Sequence, residues 1–177
     1  MDTNITLKFR SFESQILYFN GMYKLPVAAY PTINIVANDV RVRCSPHLFT
    51  NPSAAIFRLS ELKKILEDEV AEVDDIIGKL QAQHDNLTAD IYSSIDLLTD
   101  LADWLGDIQV YCASEMAKFG IPLQETLSII MQSNFSKLDS DGQVIMKGGK
   151  VQKGPFYWKP EPQIKEMLLT KIEENKK

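Results

Sequence analysis

The sequence predicts an all-α protein, a helical bundle with short β-hairpin and loop excursions, and three observations carry that expectation. Apolar residues recur at three-and-four spacing over several long segments, the pattern of a helix with one face turned to a core. The first long one of these segments, residues 54–83, contains no proline, so nothing in it interrupts a continuous helix. The prolines, together with Gly120, stand at the ends of the periodic segments, where helices start and stop. With 177 residues, 45% hydrophobic and 24% charged, the chain has the size and balance of one globular domain that buries a core without disulfide staples.

Residues 9–23 (FRSFESQILYFNGMY) form the first expected helix, with Phe9, Phe12, Ile16, Phe19 and Met22 near one face. Pro26 and Pro31 break the chain, and INIVANDVRVRC then alternates around Ala37-Asn38-Asp39 in the manner of a β-hairpin. Residues 1–50 are thus an N-terminal helix and hairpin-like segment within a single domain spanning 1–177. Asn51-Pro52-Ser53 restarts a helix. Between Ala54 and Gln83 the residues Ile56, Leu59, Leu62, Leu66, Val70, Val73, Ile77 and Leu80 make a core stripe. Asn86 or Thr88 can cap a second long helix from about Ala89 to Phe119, which Gly120 stops. Pro122 opens a third helix carrying Leu123, Leu127, Ile130 and Met131. Residues 133–161 change character: they are rich in Lys, Gly and Pro and read as a hairpin turning at Lys147-Gly148-Gly149-Lys150 followed by an irregular loop, a candidate ligand clamp. A charged amphipathic helix from Pro162 to Asn175 fills the C-terminal segment 162–177.

Composition excludes several classes. Net charge of −5 argues against a protein that coats a nucleic-acid polymer. Cys44 and Cys112 form no C-x-x-C pair, which speaks against zinc and gives no reason to expect oxidised export. No stretch approaches the ~18 apolar residues of a membrane span, and MDTNITLKF lacks a signal-like apolar region, so a cytoplasmic protein is expected. GQVIMKGGKV (142–151) lacks the Ser or Thr of a phosphate-binding P-loop, and the loop from Asp139 has Lys150 where a calcium loop needs Glu. No H-E-x-x-H or G-x-S-x-G occurs.

The acidic residues are where the pattern departs from a simple bundle. On a helical wheel at about 100° per residue with Leu66 as zero, Glu69 falls at ~300°, between Leu62 and Ile76 and so inside the apolar stripe. Glu72 lies one turn on at the margin, while Glu67, Asp68, Asp74 and Asp75 point to solvent. On the next long helix Asp96, Asp100, Asp103 and Asp107 share one line at ~260–320° from Trp104. Like charges at i, i+4 repel, and partial burial raises the cost. A cation should therefore sit among them, and the second helix supplies none between His84 and Lys118. Carboxylate oxygens are the donors that Mg²⁺ prefers, and E-x-x-E facing D-x-x-x-D sets two pairs on opposed surfaces.

These segments resemble the MazG-like all-α nucleotide pyrophosphohydrolases, in particular their phage-type and phosphoribosyl-ATP-pyrophosphohydrolase-like branch. FNGMYKLPVAAYPT (19–32) is similar to that branch's opening helix and exit; LKKILEDEVAEV (62–73) and LADWLGDIQVYCASEMAKFGIPL (101–123) are similar to its two acidic motifs. SNFSKLDSDGQVIMKGGKVQKGPFYWKPE (133–161) resembles its closing signature of Asn and Lys, Asp-Gly, then Gly-Lys-Val-x-Lys-Gly-Pro, the most specific match. The chain departs from the pattern at Asp68, where Glu is usual, and in a longer segment 32–50. The resemblance implies a bundle of the all-α NTP pyrophosphatase type that binds Mg²⁺, with Mn²⁺ as a substitute, through Glu69, Glu72, Asp103 and Asp107. It also implies that Asn134, Lys137, Lys150 and Lys153 approach a nucleoside triphosphate, which is cut between its α and β phosphates. A homodimer or dimer of dimers is implied as well.

The residues read by themselves agree with such chemistry. A bound cation lowers the pKa of water, Glu69 is the best-placed acid to accept its proton, and lysines on a glycine-rich loop can neutralise phosphate charge. Two other readings stay open: a non-catalytic helical protein whose acidic stripe docks a basic partner, and an enzyme of the same fold restricted to dUTP or a modified nucleotide.

Overall fold

The computed structural model describes residues 11–33, 53–86 and 90–176. Among these it is an all-α structure of five helices with one two-stranded hairpin. The expected hairpin around Ala37-Asn38-Asp39 and the first residues of the expected N-terminal helix, Phe9 included, lie outside the described residues.

Helix α1 (Phe12–Met22) begins at Ser11, whose hydroxyl accepts the Ser14 N–H while the Ser14 hydroxyl accepts the Ser11 N–H, a reciprocal cap. Its buried line differs from the aromatic face expected. Ile16 and Asn20 are buried, whereas Phe12 and Met22 are exposed. Asn20 can go inside because both ends of its amide are satisfied: Nδ2 donates to the Ser114 carbonyl at 3.2 Å and Oδ1 accepts from the Ser114 hydroxyl at 2.7 Å.

Helices α2 (Ser53–Asn86) and α3 (Ile91–Lys118) run antiparallel, as three cross-links show: Arg58 to Glu115, Glu69 to Trp104, and Lys79 to Asp100. The cap of α3 is Asp90, which accepts from the N–H groups of Tyr92 and Ser93. This corrects the assignment to Asn86, which is the last residue of α2; Thr88 lies outside the described residues. A single carboxylate accepting two orphan N–H groups, with Ser93 bonding back to the Asp90 N–H, makes the better cap.

The stripe expected on α2 also needs correction. Ala55, Glu69 and Ile76 are buried, with Leu62, Leu66 and Val73 half-buried, but Ile56, Leu59, Val70, Ile77 and Leu80 are exposed. The wheel's apolar sector is wider than the seam with α3, and within one chain only its edge nearest Glu69 is covered. The second half of that sector is exposed.

Where α2 begins and α3 ends, Gly120 takes φ 65° and stops α3 as expected; a Cβ there would run into the backbone of Tyr30. The chain after Pro26 crosses this end, with Ala28 N–H donating to Ala117 and Thr32 N–H to Phe119. Ile16, Ala113, Ala117 and Leu123 form the core there, with Val110 and Met116 against it. Helix α4 (Leu123–Phe135) starts after Pro122, its first N–H bonded to the Glu13 carboxylate at 2.8 Å. Helix α5 (Glu161–Glu174), with proline in its first turn, is tied to α4 by Lys171–Glu125 at 2.9 Å. No helix among the described residues is long and apolar enough to cross a membrane.

Candidate metal centre

Glu69 faces α3 because the spacing Ala55, Leu62, Glu69, Ile76 keeps one line of α2 against it, every seventh residue falling within about 20° of the last. The residue is buried, at 5% exposure. One oxygen, Oε2, is buried with no hydrogen-bond partner, which for a carboxylate is a costly state. The backbone at this position is held by the Trp104 indole, which donates from Nε1 to the Glu69 carbonyl at 2.7 Å. Trp104 is therefore a packing residue, fixed by that bond.

Burial is the largest influence raising the Glu69 carboxyl above its ordinary value, followed by the charges of Glu72, Asp107, Asp103 and Asp68. Every neighbouring charge that bears on it is negative. The charges of Glu72, Asp103 and Asp107, the other three candidates, thus reach Glu69, while their own side chains are exposed. Tyr111, one turn from Asp107 on the same line of α3, belongs to the same neighbourhood: burial first, then Asp107, Glu69 and Glu72, raise its phenol. Among the described residues no three His, Cys, Asp or Glu side chains are close enough to constitute a ready coordination sphere. Like charges repel, and three exposed side chains have room to stand apart. The donor set nonetheless fits a hard cation: oxygen ligands, net negative charge, and one buried oxygen without a partner.

A carboxyl raised in the folded state favours folding while protonated. Its stabilising contribution is complete below the unfolded value, 4.5, and is lost as pH rises through the raised folded value. In chelator, the difference in melting temperature between wild type and Glu69→Gln should consequently move in favour of the variant as pH climbs from 4.5. A difference constant with pH would mean that Glu69 is not held in this state.

The remaining acids sort themselves. Asp100 is paired with Lys79 at 2.6 Å, so the cation missing from α3 comes from α2 for this one aspartate. Glu72 and Asp103 line a shallow cleft with Asp75, Lys79, Asp100 and Trp104. Glu67 is exposed and paired with Lys63, as expected of a solvated residue.

The four candidate phosphate ligands lie on and after the end of α4. Lys137 Nζ bonds the Asn134 amide oxygen at 2.6 Å, so these two form a unit. Lys150 sits on strand β2 (Lys150–Val151), opposite Lys147 of β1 (Met146–Lys147), across the expected Gly148-Gly149 turn. Both glycines have positive φ, 57° and 73°, as a two-residue turn with the strands' own twist requires. Two lysines directly opposite repel, so the hairpin presents a paired positive tip. Lys153 lies over the Tyr157 ring at 4.6 Å. Among the described residues no ion pair or hydrogen bond joins Lys137, Lys150 or Lys153 to the carboxylate cluster.

No protein-family model matches the chain, and no characterised protein matches it in sequence. Sequence reading missed the group of half-buried Arg58 with buried Glu115 and Lys118.

Proposed function

We propose that the protein is a Mg²⁺-dependent nucleotide pyrophosphohydrolase that converts a nucleoside or deoxynucleoside triphosphate to the monophosphate and pyrophosphate. The observation that carries this reading is the Glu69 oxygen, buried without a partner in a carboxyl whose charged influences, Glu72, Asp107, Asp103 and Asp68, are all carboxylates. Glu69, Glu72, Asp103 and Asp107 would hold the cation, Mg²⁺ or Mn²⁺ in its place. The cation, when bound, supplies a Lewis acid and a water of lowered pKa. Glu69 serves as the base that receives the water's proton, its carboxylate being the one buried on the face of α2 turned to α3. Lys137, held by Asn134, and Lys150 and Lys153 on the glycine-turned loop offset charge on the phosphates. The resemblance of residues 133–161 to the closing signature of MazG-like enzymes supports the same assignment.

The test is a panel of ribo- and deoxyribonucleoside triphosphates, dUTP and modified bases included, incubated with Mg²⁺ and then Mn²⁺ and assayed for pyrophosphate. Monophosphate plus pyrophosphate is expected. Orthophosphate with diphosphate would put the attack at the wrong phosphorus, and turnover of dUTP or one modified nucleotide alone would select the restricted enzyme. No turnover on any member would favour the non-catalytic reading, which the exposed apolar residues beside the acids also suit.

Those apolar residues support a homo-oligomer, a dimer or dimer of dimers. Leu59, Leu62, Leu66 and Val70 line an open groove on α2 with Lys63 and Glu67 at its edge. Helices with a second apolar face bury it against another helix, and a two-fold pairing of α2 would do so. Light scattering at micromolar concentration should give at least twice the chain mass, and Leu59→Lys with Val70→Lys should give the monomer. A monomeric wild type would refute the oligomer.

A further inference from the structure

Of the three cross-links between the helices that carry the carboxylates, two act as clamps set at the same interval on both. Arg58 of α2 meets Glu115 of α3 with two bonds, Nη2 to Oε2 at 2.9 Å and Nε to Oε1 at 3.4 Å. The second clamp is the bond from the Trp104 indole to the Glu69 carbonyl at 2.7 Å. Eleven residues separate Arg58 from Glu69, and eleven separate Trp104 from Glu115. Eleven residues are about 20° from three full turns, so both clamps lie along a single face of each helix. Asp107 lies between the clamps on α3, and Glu72 one turn beyond Glu69 on α2.

Lys118 completes the first clamp, its Nζ 2.8 Å from the same Glu115 oxygen. Glu115 and Lys118 are 4% and 6% exposed, so one buried carboxylate holds two cations. Apolar groups of equal shape would stabilise the helix pair as well or better, and the best-attested use of a buried ionic group is to fix register. Register matters here. A slip of α3 by one residue moves Asp103 and Asp107 by about 1.5 Å along the axis and turns them by about 100°. A bidentate Arg–carboxylate pair has one geometry, so it opposes such a slip together with the apolar seam and fixes its end point more narrowly.

We propose that the Arg58–Glu115–Lys118 network is a register lock, with Glu115 the positioning residue that sets how α2 and α3 present Glu69, Glu72, Asp103 and Asp107 to a shared cation. The proposal rests on the reading of those carboxylates as a metal centre. It is tested by removing all three charges at nearly constant volume, Arg58→Met with Glu115→Leu and Lys118→Met, in a Trp158→Phe background where Trp104 is the remaining indole of the two. Two quantities are measured on the full chain: Mg²⁺ affinity by calorimetry, and Trp104 emission in chelator. The triple variant should keep its helical circular dichroism, bind Mg²⁺ about tenfold or more weakly, the scale at which supporting residues affect metal sites, and emit to the red as the indole leaves the Glu69 carbonyl. Wild-type affinity in the triple variant would overturn the lock. Absence of Mg²⁺ binding by the wild type would instead overturn the metal reading, and unchanged Trp104 emission would then decide against the lock by itself. Should the triple variant fail to fold, Glu115→Asp, which keeps the charges and shortens the reach by one methylene, is judged by the same two measurements.

Discussion

Glu69→Gln and Asp107→Asn should each abolish turnover and weaken Mg²⁺ binding while leaving the metal-free protein as stable as the wild type, or more stable by about 0.5–2 kcal/mol, the usual gain when a functional compromise is removed. The two halves of this result have one cause. Glu69 is buried, one of its oxygens is unpartnered, and Glu72, Asp107 and Asp103 all push its carboxyl up. An isosteric amide removes a negative charge from that cluster and with it the repulsion. On the proposed function the same change also removes a ligand, and at Glu69 a base. A structural ion pair would behave in the opposite way, since deleting one partner of a buried pair destabilises by about 3–5 kcal/mol. Glu115 provides that contrast within the same molecule: it has Arg58 and Lys118 as partners, and Glu115→Gln should lower the melting temperature where Glu69→Gln does not. Asp68→Asn is the control for the face of the helix. Asp68 is exposed and its charge is the least of those acting on Glu69, so turnover should survive. Loss of activity at Asp68 as large as at Asp107 would mean that the cation sits on another side of α2.

How much of this was legible in the sequence follows from which interactions are local. Helix positions depend on neighbours a few residues away, and the ends at Gly120 and at the Gly148-Gly149 turn could be placed because positive φ is a local demand that glycine meets. The inward position of Glu69 was legible too, since the helical wheel needs only the period. Packing partners were not. The wheel put Leu59, Val70 and Ile77 in the core beside Glu69, but α3 is one helix wide and covers only one edge of that sector. Nor could it show that Asp100 draws Lys79 from the other helix, or that Asn20 is buried while the phenylalanine at Phe12 is not. These depend on which turn of one helix meets which turn of another, and periodicity within a single element carries no such information.

Gly154→Ala should reduce kcat/KM by about 10²-fold, the penalty of a misplacement near 1 Å, together with a stability loss of about 1–3 kcal/mol from overpacking. Gly154 is where the lysine-bearing loop is fastened: its N–H donates to the Lys137 carbonyl at 2.9 Å at the end of α4. The approach is so close that a Cβ on residue 154 would fall inside the Leu138 carbonyl and press on that of Lys137, both backbone atoms with nowhere to retreat. The loop must therefore lift. Farther along, Ser133 and Ser136 hold Trp158 by its carbonyl and N–H, so the displacement is confined to the segment before that second fastening, which contains Lys150 and Lys153. Gly142→Ala separates displacement from mere instability. Gly142 also has positive φ, at 74°, but open space where a Cβ would go. Alanine there should cost a comparable ~1–2 kcal/mol of backbone strain without moving the lysines. If the loop acts on the phosphates, the two variants lose similar stability and only Gly154→Ala loses turnover. Equal turnover in both would remove Lys150 and Lys153 from the site and leave the carboxylates without the cationic half of the proposed mechanism.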